Sequence, residues 1–306
     1  MTLITVMSNR SLIKIILLAV LPITVFVSII AVYFKFQRTN LLSVFAGSDI
    51  YDVDDDSSFL SVLNVGEAQS VLVASCGEVA LIDTGNDDDL AADMLNRYGI
   101  KHLDYILISH YHEDHFGGLE SICESYTVGE VILPPRNSSD DSYQDYIDVK
   151  STVKNSGAQI FDAYAGQSVT VGRLKVKVLA FNGHLNDEND KSLVISVDDG
   201  EYSVNVMGDI GETVENMLIF SDADISAFAL VAAHHGSGSS NSNRFLNAIG
   251  CEYVIASCGA PDIYGLPDDE MVSRVENNDI QLYTTYENGI IRIDYTDTKP
   301  KIITER

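Results

Sequence analysis

The sequence is poor in positive charge, in cysteine and in repeated or low-complexity segments. Its 306 residues include 19 Lys and Arg against 45 Asp and Glu, and only four cysteines. With so few cysteines and 46% hydrophobic residues, the composition excludes a disulfide framework, a collagen-like chain, a coiled coil and a disordered chain. A protein this acidic repels long polyanions, so non-specific nucleic-acid binding is disfavoured as a function.

Acidic residues are also absent from the N-terminal segment, because the first one is Asp49. From residue 39 onward the charge count is 15 − 45 = −30, whereas the segment before it carries only cations. Residues 15–34 are uncharged and mostly apolar. A helix of that length spans roughly 30 Å, the hydrocarbon thickness of a bilayer. We therefore predict one N-terminal transmembrane helix over 15–34.

This prediction divides the N-terminus into a short tail over residues 1–14, a transmembrane signal anchor over 15–34 and an acidic linker over 35–57. A signal peptide cleaved after Ala46 is the alternative, because small residues stand at positions suited to a peptidase. The cations on the two sides of the span nearly balance. Since the short tail is the easier part to retain in the cytoplasm, we expect a single-pass protein of the cell membrane with its acidic body outside the cytoplasm.

The body alternates short β-type runs with helical patterns, which predicts one α/β domain over residues 58–306. The last two predicted strands, 282–286 and 290–294, form a hairpin that turns at Asn288-Gly289. The remaining predicted elements are a helix over 87–98 and strands over 59–65, 70–74, 79–82, 105–108, 130–133, 174–180, 192–197, 202–207, 229–232 and 253–256.

A cluster of metal-binding side chains follows the predicted strand 105–108. Residues 110–115, His-Tyr-His-Glu-Asp-His, contain three of the seven histidines of the chain. In an extended segment His110 and His112 point the same way, so they can bind one metal ion together. Asp114 and His115 stand where the chain turns into a helix and can reach a second ion. The cluster thus offers ligands to two divalent metals.

Three further polar motifs each follow an apolar strand. They are Asp83-Thr84-Gly85, Gly208-Asp209 and His234-His235-Gly236-Ser237. Polar residues gathered at the ends of buried strands are typical of the functional sites of α/β folds. A histidine-rich solvated loop at 110–115 does not explain why three further polar motifs also follow apolar strands.

Together these motifs resemble the metallo-β-lactamase superfamily, and more narrowly the hydrolase domain of ComEC-type DNA-uptake competence proteins. The resemblance covers residues 59–294 and includes Val65 to Ser70, Asn189 to Val194 and Tyr264 to Pro267. It implies an αββα sandwich with a metal site at one edge of its two sheets.

The resemblance also implies a role for each motif residue. His110 and His112 would bind the first metal, Asp114 and His115 the second, and Asp209 would bridge the two. His234 would complete the second site, with His235 as the alternative. Asp83 and Gly85 would support the ligands from behind, with Asp83 fixing ligand orientation by hydrogen bonding. His184 would be a third histidine for the first metal; otherwise Asn189 or water takes that position.

Two departures from the family pattern weaken the transfer of activity. Gln69 replaces an acid in the first motif, and Leu266 replaces a histidine that faces the site in relatives. The loss of a proton donor or of a phosphate-binding group typically costs orders of magnitude in rate.

The predicted function is that of a membrane-anchored dinuclear hydrolase of a small phosphodiester or ester, with Zn²⁺ as the expected metal and Mn²⁺ as the alternative. Asp114 and Asp209 would serve catalysis, and Ser237 would contact a substrate oxygen through its hydroxyl and backbone N–H. Arg173, Lys175 and Lys177 could form a local positive strip, although a solvated strand face is favoured. The other candidates are a hydrolase of cell-envelope esters or lactones and a tethered metal-binding protein without turnover.

Overall fold

Two β-sheets packed face to face form the centre of the structure. The computed structural model describes residues 50–53, 56–260 and 265–306. Within these residues the strands are β1 (Ser58–Val62), β2 (Val71–Ser75), β3 (Glu78–Ile82), β4 (His102–Leu107), β5 (Thr127–Leu133), β6 (Gln159–Asp162), β7 (Ser168–Val171), β8 (Leu174–Ala180), β9 (Val194–Asp198), β10 (Ser203–Val206), β11 (Ala229–Val231), β12 (Tyr253–Ala256), β13 (Gln281–Thr284), β14 (Ile291–Asp294) and β15 (Lys301–Thr304). The first sheet has the order β15-β14-β1-β2-β3-β4-β5-β6, and the second has the order β13-β12-β11-β10-β9-β8-β7.

Helices cover the outer face of each sheet. They are α1 (Leu90–Arg97), α2 (Glu113–Phe116), α3 (Leu119–Ser125), α4 (Tyr143–Ser156), α5 (Glu212–Ile219), α6 (Asn243–Ile249), α7 (Asp269–Asn277) and α8 (Thr285–Asn288), with 3₁₀ turns at Asn189–Lys191 and Ala233–Gly236. Apolar residues of α1, α3 and α4 share one core with the first sheet, while those of α5, α6 and α7 share another with the second. The predicted αββα sandwich is therefore confirmed.

The third core lies between the sheets and explains the apolar patterns of the strands. In β8, Leu174, Val176 and Val178 are buried in this core, whereas Lys175 between them is exposed. Central strands such as β2 are buried on both faces and therefore consist of continuous apolar residues. Each fully buried aliphatic side chain contributes about 1.5–3 kcal/mol to folding.

The C-terminal end of the fold corrects one prediction. Residues 281–284 and 291–294 do not form a hairpin, because β13 pairs with β12 in the second sheet while β14 pairs with β1 and β15 in the first. The chain crosses between the sheets through α8, and Gly289 ends this helix with a positive φ of 69°. The Asn-Gly pair therefore stops a helix instead of closing a hairpin.

The predicted transmembrane helix and most of the predicted linker lie outside the described residues. Among the residues that are described, no helix combines the length and apolar character needed to cross a bilayer. The end of the predicted linker packs on the sandwich: Ile50 is buried, and the Arg292 guanidinium donates to the carbonyl oxygens of Ile50 and Asp52.

Candidate metal centre

The histidine-rich segment leaves β4 at the edge of the first sheet and turns into the short helix α2. His112 has an extended backbone and stands immediately before this helix, whereas Asp114 and His115 are inside it. The sequence therefore places two histidines on the extended part and two further ligand candidates on the helical part. The structure brings both pairs toward Asp209, which follows β10 in the second sheet.

His110, His112 and Asp209 form the first cluster. One potential ligand atom from each of these residues lies within 4.8 Å of the others. The His110 and His112 rings meet edge to face with centroids 4.7 Å apart, and His110 Nε2 lies 3.8 Å from Asp209 Oδ2. His110 is completely buried, while His112 is partly exposed.

Asp114, His115, Asp209 and His235 form the second cluster, again with ligand atoms within 4.8 Å of one another. His115 Nε2 lies 3.1 Å from Asp209 Oδ1, and His235 Nε2 lies 3.1 Å from Asp114 Oδ2. Asp209 belongs to both clusters and presents a different oxygen to each histidine pair. Its carboxylate therefore has the position expected of a bridge between two metal ions.

Buried polar atoms without partners show that this donor set fits metal ions. Within the described part of the chain, four buried side-chain atoms have no hydrogen-bond partner. His110 Nε2 and Asp209 Oδ1 belong to the clusters, where Asp209 Oδ1 faces another candidate ligand, His115 Nε2, at 3.1 Å. The other two are Asn189 Oδ1, in the 3₁₀ turn Asn189–Lys191, and Asn205 Oδ1, in β10. An unsatisfied buried polar atom costs about 1–3 kcal/mol, so a folded protein seldom leaves several of them together. Imidazole nitrogen and carboxylate or amide oxygen are ligands of divalent cations.

Asp83 orients His115, a member of the second cluster, by hydrogen bonding. Its Oδ2 lies 2.8 Å from His115 Nδ1 and accepts from Ser109 Oγ at 2.8 Å, while its Oδ1 accepts from the Ser109 N–H at 2.6 Å. A proton held on His115 Nδ1 leaves the Nε2 lone pair directed at the cluster. The structure therefore places Asp83 in contact with a candidate ligand, His115, as the sequence predicts.

The structure separates the two adjacent histidines that the sequence left open. His235 is buried, and its Nδ1 lies 2.8 Å from the carbonyl oxygen of Ser257, which directs Nε2 into the second cluster. His234 is about one-third exposed and belongs to neither group of close ligand atoms, although its Nε2 lies 3.8 Å from Asp209 Oδ2. His235, the alternative in the sequence prediction, thus replaces His234 in the second cluster.

His184 does not join the site. It is exposed in the turn after β8 and is absent from both clusters, which corrects its candidate role as a third histidine ligand. Asn189 is the better candidate, because its Oδ1 is buried and unpartnered. Its turn lies beside Asp209, since the next residue, Asp190, accepts from the Gly211 N–H and Ser192 Oγ accepts from the Asp209 N–H.

Ser237 makes local contacts in the described structure, and its role at a substrate oxygen stays a prediction. Its backbone N–H donates to the carbonyl oxygen of His234 at 2.8 Å, and its hydroxyl lies 2.9 Å from Ser239 Oγ. Both groups therefore have partners within the same loop. Gly85 contributes to the frame of the site, because its N–H donates to the Gln69 carbonyl and its carbonyl accepts from the Gly118 N–H.

The charges in the site favour bound cations. Burial and the neighbouring charge of His115 lower the pKa of His110 well below its usual value, which keeps its lone pair available. Burial opposes ionisation of Asp114, but its contact with His235 and the charge of His115 outweigh it and lower the pKa of Asp114 to about 2. Asp209 is affected in the same way by His115 and His235, and its pKa also lies well below the usual value.

Burial alone would lower the pKa of His115, but the carboxylates of Asp209 and Asp83 raise it well above the usual value. For His235, Asp209 and Asp114 likewise overcome burial and raise the pKa. Without another cation, protons on these histidines therefore balance the carboxylates. A divalent ion supplies the same positive charge through the same nitrogen and oxygen atoms.

A cavity of about 360 Å³ opens beside the second cluster. Its described lining includes Asp114, His234 and His235 from the site, together with Glu67, Asn86, Glu113, Cys258, Gly259 and Leu266. Leu266 also packs on the core of the second sheet, so this position presents an apolar wall to the cavity. None of these lining residues is a lysine or an arginine.

The candidate basic strip lies elsewhere. Arg173 precedes β8, where its backbone N–H donates to Ser75 Oγ at the end of β2. The metal centre is at the opposite end of β8, because Ala180 pairs with Val194 next to the turn that carries Asn189. The strip therefore does not line the cavity.

Sequence reasoning missed Ser109, Arg136 and Glu188. Ser109 and Glu188 stand directly beside motif residues, and this adjacency is the signal that could have found them. Arg136 has no such local signal, because only the folded chain brings its guanidinium to Glu188.

The comparisons with known proteins agree with the fold. A family model described as the metallo-beta-lactamase superfamily matches residues 63–138. Competence protein ComA of Neisseria gonorrhoeae is 26% identical over 251 residues, which are 78% of this chain and 33% of ComA. ComE operon protein 3 of Bacillus subtilis is 23% identical over 268 residues, which are 80% of this chain and 34% of that protein.

These matches show that the chain is similar to the metallo-β-lactamase superfamily. Within this superfamily it is similar to competence proteins of the ComEC type and spans about a third of the length of these relatives. The crystal structure of the metallo-β-lactamase fold protein YhfI from Bacillus subtilis superposes with a TM-score of 0.52 at 11% identity, over 76% of this chain and 99% of YhfI. This superfamily fold and the His/Asp clusters are those of a metal-dependent hydrolase-like protein.

Proposed function

We propose that this protein is a dinuclear metal-dependent hydrolase of a small phosphodiester or ester. The observation that carries the proposal is the shared position of Asp209 between two ligand clusters. The unpartnered buried atoms of His110 and Asp209 support it, because both atoms belong to residues of the clusters. Asn189 Oδ1 is a further unpartnered buried atom, on the turn beside Asp209.

The first metal would be held by His110, His112 and Asp209, with Asn189 Oδ1 as a further ligand. The second would be held by Asp114, His115, His235 and Asp209. Zn²⁺ suits this mixture of imidazole and carboxylate, and Mn²⁺ is the alternative. When bound, such a pair activates water as a nucleophile near neutral pH and stabilises negative charge on a reacting oxygen.

The chain's own residues position this chemistry. Asp209 bridges the clusters and so fixes their separation, while Asp83 and the Ser257 carbonyl each bind the Nδ1 side of one histidine and fix the direction of its Nε2. Asp114 lies on the cavity side of the second cluster, where it can hold a proton or orient a water beside the substrate. The part of His234 that is exposed to the cavity can donate to a substrate oxygen.

The cavity favours a small substrate over a nucleic-acid strand. Its volume of about 360 Å³ suits a small molecule, and its described lining contains carboxylates but no lysine or arginine. The buried cations Arg136 and Lys191 are already paired, Arg136 with Glu188 and Lys191 with Asp140. The names of the competence relatives point toward DNA, but this charge distribution supports a small phosphodiester or a neutral ester, including a cell-envelope ester or lactone.

Membrane anchoring is part of the same proposal and is supported by sequence alone. The apolar residues 15–34 would hold the protein in the cell membrane, with the hydrolase domain on the extracytoplasmic side. Protease protection of the sandwich in intact cells, compared with lysed cells, would test the orientation.

The direct test is hydrolysis of a bis-aryl phosphodiester by residues 50–306 reconstituted with Zn²⁺ or Mn²⁺. We expect metal-dependent turnover that is lost in His110→Ala and in Asp209→Ala. His184→Ala is the matched control, since it removes an exposed histidine outside the clusters and should retain full activity. A wild-type protein that binds no metal after reconstitution would refute the proposal.

The second candidate is a metal-binding protein of the same fold without turnover. Leu266 favours it, because an apolar side chain at the cavity wall provides no proton for a leaving group. Full metal loading without hydrolysis of phosphodiesters, phosphomonoesters or lactones would support this candidate over the enzyme.

A further inference from the structure

Arg136 is a buried cation that the metal centre does not use directly. Its side chain has no exposed surface, yet its nitrogens donate to Glu188 Oε1 at 2.5 Å, to Ser142 Oγ at 3.1 Å and to the carbonyl oxygens of Pro134 and Pro135. Burial of a guanidinium is costly unless its charge and its donors are satisfied. Its charge is paired with Glu188, and each of its three nitrogens has at least one hydrogen-bond acceptor.

Glu188 connects this cation to the histidine motif. Its Oε1 accepts at 3.0 Å from the backbone N–H of Tyr111, the residue between His110 and His112. The Tyr111 ring lies under Arg136, 4.8 Å from the guanidinium carbon, and its hydroxyl donates to the Pro134 carbonyl. Both the backbone and the side chain of Tyr111 are thus fixed.

The same glutamate also fixes the turn that carries Asn189. Glu188 directly precedes the 3₁₀ turn Asn189–Lys191, and its carbonyl oxygen accepts from the Lys191 N–H. One carboxylate therefore joins two loops that are distant in sequence: the loop with His110 and His112, and the loop with the unpartnered Asn189 Oδ1.

We propose that the Arg136–Glu188 pair positions the ligands of the first metal and thereby sets the affinity of that site. The proposal rests on the dinuclear centre of the proposed function. His110 and His112 bind one ion only while the segment between them stays extended, since this conformation points both side chains the same way. The hydrogen bond from the Tyr111 N–H to Glu188 holds the segment, and Glu188 directly precedes the turn that carries Asn189.

The second metal has separate supports. His115 is oriented by Asp83, and His235 is oriented by the Ser257 carbonyl. Neither histidine has a hydrogen bond or ion pair to Arg136 or Glu188 in the described structure. A defect in the pair should therefore weaken one site and spare the other, which a general loss of stability would not do.

The experiment is a calorimetric titration of the full-length protein in detergent with Zn²⁺, repeated with Mn²⁺. His110→Ala and His235→Ala identify the binding step that belongs to each site. In Glu188→Gln we expect the step that is missing in His110→Ala to weaken by about 10- to 100-fold, the usual effect of losing a partner that orients ligands. The step that is missing in His235→Ala should stay within twofold of wild type.

Asp294→Asn is the matched control. It disrupts another arginine–carboxylate pair, Arg292–Asp294, with side-chain exposures of 3% and 12% against 0% and 14% for Arg136–Glu188. Whatever stability it loses, its two metal-binding steps should match those of wild type. Arg136→Lys is a second variant that keeps the charge without the two-pronged contact, and it should weaken the first site selectively if Glu188→Gln does not fold.

Unchanged affinities in the variants that fold would overturn the proposal, as would equal weakening of both steps. A wild-type protein that binds no metal would overturn the proposed function as well. Two intact binding steps in wild type that do not respond to Glu188→Gln or Arg136→Lys would overturn only the role of the pair.

Discussion

Gln69 Nε2 donates to Asp83 Oδ2 at 2.8 Å, and both side chains are buried beneath the metal centre. Asp83 Oδ2 also contacts Ser109 Oγ and His115 Nδ1, so the glutamine completes a set of three neighbours around one oxygen. The sequence identified Gln69 only as a departure from a family motif that carries an acid there. In the fold, its neutral amide is a donor matched to a buried carboxylate.

We expect Gln69→Glu to destabilise the protein by at least the 1.5–3 kcal/mol typical of a hydrogen bond to a charged group. The substitution keeps the shape of the side chain but replaces the donor with an acceptor facing Asp83. Urea unfolding at pH 7.5 measures the loss. Gln144→Glu is the control, because Gln144 makes the same amide-to-carboxylate contact with Asp148 at an exposed position. Equal effects of the two substitutions would contradict the role given to Gln69.

Gly208→Ala should destabilise the protein at the turn that positions Asp209. Gly208 has a φ of +55°, and an added Cβ would lie 2.7 Å from Ser192 Cβ and 3.3 Å from Ser109 Cβ. We expect about 1–2 kcal/mol from the left-handed backbone and a further 1–3 kcal/mol from the overlap. Gly250→Ala has a similar φ of +66° with no atom within 4 Å, so it isolates the backbone cost in thermal unfolding. If Gly208→Ala loses no more unfolding free energy than Gly250→Ala, the overlap at Gly208 is relieved by local movement and the prediction is wrong.

Glu215 gives the fold a specific pH dependence. Burial raises its pKa above the ordinary value of 4.5, although hydrogen bonds from Ser242 and Asn241 oppose the change. The folded protein therefore holds this proton more tightly than the unfolded chain does. The resulting stabilisation is complete below pH 4.5 and is lost as the pH rises through the pKa of the folded state.

We expect the stability of wild type relative to Glu215→Gln to fall as the pH is raised from about 4.5 toward 8, because only wild type ionises at this position. Urea unfolding of both proteins across this range measures the difference. Glu212→Gln changes an exposed residue on the same helix and serves as the control. A difference that rises with pH would reverse the assigned direction.

Metal removal should lower the stability of the folded protein. At a free Zn²⁺ concentration of a hundred times the dissociation constant, binding to the native state adds about 2.7 kcal/mol for one site. Thermal unfolding before and after chelation should show this increment in wild type and in His184→Ala. It should shrink in Asp209→Ala, which removes the ligand common to both clusters. An increment that survives Asp209→Ala unchanged would place the metal elsewhere.

The sequence predicted the strands best where apolar patterns were unambiguous. Strands 174–180 and 253–256 have the predicted bounds, since alternating or continuous burial leaves little choice of register. The prediction of a C-terminal hairpin was wrong, because an Asn-Gly pair suits either a tight turn or a helix end. The pairing of β13 and β14 in different sheets decides between the two.

At the site, the sequence supplied the ligand types and their grouping within one segment. It did not separate His234 from His235, because adjacent residues share the same chemistry and only backbone direction distinguishes them. His184 was a plausible ligand by residue type, yet the turn that carries it leaves it exposed, whereas Asn189 lies with its Oδ1 buried.

The sequence alone determined the layered α/β class and a histidine–aspartate cluster at the end of a strand, because apolar periodicity and residue chemistry are local properties of a chain. The tertiary structure decided which carboxylate joins the two clusters, which of two adjacent histidines enters, and how Arg136 and Gln69 support them. These relationships depend on distances between residues far apart in sequence, and such distances are fixed only when the two sheets pack against each other.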